Sequence, residues 1–216
     1  MQSSNLAPSS VKLVDVLLLL SFFISGCSAL IYQICWQRTL YGIIGVDIDS
    51  ITIIVSIFML GIGIGGMLGG RLSDSYPKSR LSLYIAAEIS IATYGFFSIT
   101  ILAWIESVLG SHTSSGSAIS AFSCALFLIL PTILMGMTLP LLTIAFNEKR
   151  QNIGLSIGNL YFSNTLGAAA GAALVPFALL PRWSLDQVIL IGVVGNILVS
   201  ILALASIYGA ELNQKS

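Results

Sequence analysis

Glu88 is the residue of this chain best suited to chemistry. It lies eight residues after Arg80 in an otherwise apolar stretch. If that stretch is a helix and Arg80 marks a membrane surface, the carboxyl sits roughly 12 Å below that surface. An ionised group at that depth is costly, so it must face other helices or water, where it can hold a cationic ligand or a proton. A second reading is a hydrogen-bonded structural glutamate that pins helices together, and the sequence leaves the two open. Tyr84, one turn earlier on the same face, can donate to it.

Other polar residues in apolar surroundings are Tyr32, Trp36, Arg38, Glu106, Asn164 and Asn196. Tyr32 and Trp36 are four apart and share a helical face, whereas Arg38 is turned about 120° from Tyr32, so one pocket cannot easily hold all three. Arg38 and Glu106 both fall near the outer ends of their segments and form a candidate ion pair, with snorkelling to the headgroups as the alternative. Asn164 and Asn196 are mid-span amides that can bond across helices, worth about 0.6 kcal/mol on average. Packing is the expected role for both amides, and Asn164, like Tyr32 and Trp36, is also kept as a candidate for ligand or proton binding. Cys27, Cys35 and Cys124 are odd in number and lack ligand spacing to His112, the lone histidine, so neither a disulfide framework nor a metal site is expected.

These residues are carried by six long apolar segments: Leu13 to Leu40, Ile51 to Leu72, Leu81 to Leu109, Ala118 to Phe146, Ile153 to Leu180, and Val188 to Tyr208. Each has about the 20 residues that a helix needs to cross roughly 30 Å of hydrocarbon. The chain is 56% hydrophobic and 8% charged, far from the roughly 25% charged content of soluble domains. The expected fold is an all-α membrane protein of six transmembrane helices, with residues 13–208 as the membrane domain between tails at 1–12 and 209–216. Pro131 and Pro140 are expected to interrupt the fourth helix, and Pro176 the fifth.

Lys12, Arg71, Lys78, Arg80, Lys149, Arg150 and Lys215 fall on one side of this zigzag, and only Arg38 and Arg182 towards the other. The positive-inside rule then puts both termini in the cytoplasm. Trp36, Trp104 and Trp183 lie near the outer segment ends, where indole suits the headgroup region.

Two motifs mislead. Ile24-Ser25-Gly26-Cys27 reads like a lipoprotein signal, yet apolar residues continue unbroken to Ile34, as in one long helix. Gly61-Ile62-Gly63-Ile64-Gly65-Gly66 satisfies a nucleotide-binding pattern in letters only, because no strand precedes it and it lies mid-span. Gly61, Gly65 and Gly69, with Gly66 and Gly70, instead recur at four-residue spacing and predict a face that another helix can approach closely.

The stretch Gly70-Arg71-Leu72-Ser73-Asp74-Ser75-Tyr76-Pro77-Lys78-Ser79-Arg80 resembles the cytoplasmic signature of major facilitator transporters. Asp74 and Arg80 match its acidic and basic poles, while Ser75 and Pro77 stand where a basic residue and a glycine are usual. A longer likeness runs through Ser25-Gly26, Ala29-Leu30, Tyr32-Gln33, Trp36 and Arg38, then Glu88, Met135-Gly136-Met137-Thr138-Leu139-Pro140, Tyr161 and Asn164-Thr165-Leu166-Gly167-Ala168. These residues are similar to the membrane-embedded spermidine synthase-like proteins, in which a facilitator-like module is fused to an aminopropyltransferase domain. The resemblance implies a half-facilitator bundle. No glycine-rich strand-turn-helix or soluble acidic site for decarboxylated S-adenosylmethionine accompanies it, so catalysis by this chain alone is not expected.

Two functions follow as expectations. One is a module in the inner (plasma) membrane that binds or translocates a small, polyamine-like cation, as a homodimer or with a membrane or soluble partner subunit. The other is a non-catalytic scaffold for a membrane complex or a soluble aminopropyltransferase. No cofactor and no nucleic-acid partner are expected. The glycine faces and half-size bundle are expected to leave close-packing surfaces for a partner.

Overall fold

A computed structural model describes residues 8–46, 48–109, 118–150 and 152–215, with side chains over 14–46, 48–108, 119, 121–147 and 152–207. Among the described residues, six α-helices account for the fold: α1 Pro8–Ile44, α2 Ile48–Ser75, α3 Arg80–Leu109, α4 Ala118–Arg150, α5 Ile153–Leu174 and α6 Leu185–Lys215. All six are long and apolar enough to cross a membrane. The helices outrun the apolar segments at several ends. Helix formation continues into polar residues where hydropathy falls, so α1 begins inside the expected N-terminal tail and α6 runs through the expected C-terminal one. His112 lies outside the described residues.

Local chemistry sets the breaks. Gly45 ends α1 in the left-handed region at φ 96, and its N–H donates to Tyr41 O at 3.0 Å. Pro77 opens a 3-10 turn, Pro77–Ser79, between α2 and α3, and Arg80 Nε donates to Ser73 O at 2.8 Å. A cation thereby covers a free carbonyl at the end of α2. The α2–α3 turn is made without the glycine usual in the facilitator signature; Gly70 and Arg71 lie in the last turns of α2, while Asp74 and Lys78 are exposed beside the turn. Asn152 caps α5 by accepting from Leu155 N–H. Ser184 and Gln187 form a reciprocal capping box at the start of α6.

The prolines act differently from expectation in α4, which stays helical through Pro131 and Pro140. Pro131 has no N–H for Phe127 O, and the Tyr94 hydroxyl on α3 donates to that carbonyl at 2.5 Å. A neighbouring helix thus satisfies the freed group. Pro176 does perturb its helix, in a π-helical turn, Val175–Leu179, that closes α5.

Packing follows a repeat. α2 lies against α4, α1 against α5 and α6, and α3 against α4 and α6. Exchanging α1 with α4, α2 with α5 and α3 with α6 leaves this pattern unchanged. The correspondence holds at single residues. A Cβ on Gly65 would lie 2.1 Å from Ile133 O and one on Gly167 1.9 Å from Phe23 O. On Gly136 it would lie 2.3 Å from Ile62 O, and on Gly26 2.2 Å from Asn164 O. On Gly69 and Gly171 it would lie 2.6 Å from Met137 O and 2.5 Å from Cys27 O. Each α2 residue is carried to its α5 counterpart by one shift in sequence, and each α1 residue to its α4 counterpart by another. Short links turn the chain back on itself, so α1 and α4 point in opposite directions and the repeat is inverted.

The seam of Gly61, Gly65 and Gly69 packs on α4 as its spacing predicts. Gly66 and Gly70 do not belong to it: a Cβ on either would meet nothing within 4 Å. They sit one residue, about 100°, further round the helix. The seam is also filled from within the chain, which corrects the expectation that it is left for a partner.

Candidate functional site

Glu88 projects from α3 to where α1 and α6 meet it, and it is fully buried. Ser25 Oγ on α1 donates to Glu88 Oε1 at 2.7 Å. Asn196 Nδ2 on α6 donates to Oε2, also at 2.7 Å. Three helices are therefore tied through one carboxyl. The Tyr84 hydroxyl lies among Ser21, Ser25 and Glu88 without completing a hydrogen bond of ordinary geometry. Its ring meets Phe22 edge-on, with centroids 6.4 Å apart. Asn196 Oδ1 is buried and has no hydrogen-bond partner. That is an exceptional position for a buried acceptor, and a bound donor would relieve it.

A cavity of about 290 Å³ opens beside this cluster. Ser25 and Asn196, the two residues holding Glu88, are both in its wall, and Gln33, Thr138, Tyr161 and Asn164 supply its other polar side chains. Phe22, Phe58, Ile62, Ile91, Met135 and Leu139 make most of the remainder apolar. Gly66 leaves room by having no side chain, while Gly26 and Gly136 line the cavity where their helices pack closely on neighbours. Every polar group lining the cavity is neutral, and Glu88, one hydrogen bond behind the wall, is the acidic group reached by that route.

The candidate residues separate into several places. Glu88 and Tyr84 lie together as their four-residue spacing implies. Asn164 lines the cavity with its Oδ1 over Gly26, and Tyr161 beside it is largely exposed. Tyr32 is buried with its hydroxyl unpartnered, close against Gly95 of α3 and Gly192 of α6. Trp36 stacks on Tyr32 at 5.0 Å and donates from Nε1 to Ser98 Oγ at 3.0 Å. Trp36 is wholly buried among Tyr94 and Phe127, which corrects its expected place at the membrane surface. Its ring faces the bundle, and Ser98 supplies the acceptor that an interface would otherwise give. Trp104 and Trp183 are exposed. Arg38 and Glu106 are both exposed, and among the described residues no ion pair links them.

Sequence reasoning missed Ser25 as a partner of Glu88 and treated Asn196 as packing glue. The signal available was small: Ser21 and Ser25 repeat at helical spacing, and Asn196 is an amide amid the apolar residues of its span. Which carboxyl they would meet depends on helix order in space.

This chain is similar to a polyamine aminopropyltransferase. The relative comes from Oceanobacillus iheyensis, and the identity is 24% over 185 residues, covering 85% of this chain and 34% of that protein. The chain thus spans about a third of the length of the curated relative it matches. No family model matches the chain. No solved structure matches it either. The finding places the chain at a distance from spermidine synthase-like proteins, and most of the relative lies beyond the match.

Proposed function

We propose that this chain is a multi-pass module of the inner (plasma) membrane that binds or translocates a small cation of the amine class to which polyamines belong. The observation carrying this reading is Glu88, a buried carboxyl held by two cavity-lining side chains, with the unpartnered Asn196 Oδ1 beside it. An ammonium group supplies both the donors and the charge that such a site lacks. The printed name of the distant relative supports an amine. The inverted three-helix repeat supports a facilitator-type half-module, working as a homodimer or with a partner subunit.

A scaffold reading has its own support, since Glu88 is fully enclosed and both its oxygens accept hydrogen bonds within the chain. In that case the carboxyl only fastens α1, α3 and α6, and the module anchors a soluble aminopropyltransferase or a membrane complex. Proteoliposomes separate the two. Saturable uptake or retention of a labelled alkylamine by wild-type protein, lost in Glu88→Gln, is the expected result. Retention equal to that of empty liposomes would overturn the binding reading and leave the scaffold.

Both termini are proposed to be cytoplasmic, from the distribution of Lys and Arg. Reporter fusions after Ser114 and after Gln151 are expected to report opposite sides of the membrane, the second one cytoplasmic. Two reports from the same side would contradict this topology.

A further inference from the structure

We infer that the cavity takes an amine with a single positive charge and an apolar body, in preference to a di- or polyamine. The inference rests on the reading that Glu88 receives a cation, and narrows it to one ligand class. Its grounds are the number and the placing of the polar groups. One carboxyl stands behind the wall, reached through Ser25 and Asn196. Asn196, a residue of the wall, also has a buried Oδ1 without a partner, so an ammonium brought to that side chain finds an acceptor once the amide turns. The rest of the wall includes Phe58, Ile62, Ile91 and Leu139, with uncharged polar side chains at Gln33, Thr138, Tyr161 and Asn164.

A second ammonium in the same cavity would leave water without a carboxylate to meet it. Desolvating a charge without a counter-charge is strongly unfavourable, whereas an alkyl or aryl body gains by covering the apolar wall. A neutral ligand of the same shape gains the apolar contact but leaves the negative charge unanswered. Both terms favour the monocation.

Three probes of matched length test this: n-hexylamine with one charge, 1,6-diaminohexane with two and 1-hexanol with none. Binding is measured calorimetrically on the whole chain in nanodiscs, with empty nanodiscs subtracted, for wild type, Glu88→Gln and Gly66→Leu. Hexylamine is expected to bind at least tenfold more tightly than either other probe, and Glu88→Gln to remove its advantage over hexanol. Gly66 lines the cavity and a Cβ there meets nothing within 4 Å, so Gly66→Leu is expected to keep the fold and fill the space. Its binding should be lost.

Diaminohexane binding as tightly as hexylamine, and through Glu88, would overturn the single-charge inference while leaving Glu88 as a cation site. A hexylamine preference that survives Glu88→Gln would overturn both. Binding unaffected by Gly66→Leu would overturn the placing of the ligand in this cavity.

Discussion

Gly65→Leu is expected to lower stability by about 3 kcal/mol or more, at the upper end of what overpacking costs. A Cβ at Gly65 would stand 2.1 Å from Ile133 O and 2.9 Å from Gly136 Cα. Both are backbone atoms, and a side-chain rotation cannot make room. α2 would have to lift from α4 along the whole seam. On the scale of soluble domains of similar length, the loss corresponds to a fall of roughly 10 °C in thermal midpoint. Gly66→Ala, one residue on, meets nothing and is expected to be neutral or to stabilise by up to about 1 kcal/mol through better helix propensity. Thermal unfolding of both variants in mild detergent checks the pair, and equal stability of Gly65→Leu and wild type would contradict the seam. The effect is expected in the single chain, because the seam is closed by the chain's own α4.

The second large effect is at Glu88. Glu88→Leu leaves Ser25 Oγ and Asn196 Nδ2 without the acceptors they now have, each buried. Leaving a buried donor unmet costs roughly 1–3 kcal/mol, so the variant is expected to lose about 2–5 kcal/mol in all. Glu88→Gln is expected to be close to wild type. Its amide oxygen can accept from Ser25, and its N–H can donate to Asn196 Oδ1, the atom now unpartnered, once the asparagine amide turns over. The two variants therefore separate hydrogen bonding from charge. If the leucine variant is as stable as wild type, the three-helix tie is not a structural contact of any weight.

Much of the fold is legible in the sequence because a membrane imposes length and polarity on every helix. The segments from Leu13 to Tyr208 set helix number, and four-residue glycine spacing sets one contact face. What the sequence hides is which helix fills which face. The spacing of Gly61, Gly65 and Gly69 announces close approach equally well for a second molecule or for α4, and only the fold chooses α4. Trp36 shows the same limit. Its distance along α1 suits a headgroup anchor, yet its direction around the helix takes it to Ser98 in the interior. In the candidate site, the depth and company of Glu88 could be read from Arg80 and Tyr84, which share its helix. Ser25 and Asn196 come from other helices at long sequence separation, and no local pattern pairs them with a carboxyl on α3.

Hidden helix pairing also bears on the repeat. α2 and α5 share little but their glycines, and the correspondence of Gly65 with Gly167 emerges from the carbonyls that each one touches.

The central claim is that the charge of Glu88, and not its hydrogen bonding alone, holds a cationic ligand. The most direct test is equilibrium binding of labelled n-hexylamine to wild type and Glu88→Gln in nanodiscs, both first shown to unfold at the same temperature. The account predicts a loss of affinity of at least tenfold in the glutamine variant, with the fold unchanged. Equal affinity in the two proteins would contradict it and leave Glu88 as a structural tie among α1, α3 and α6.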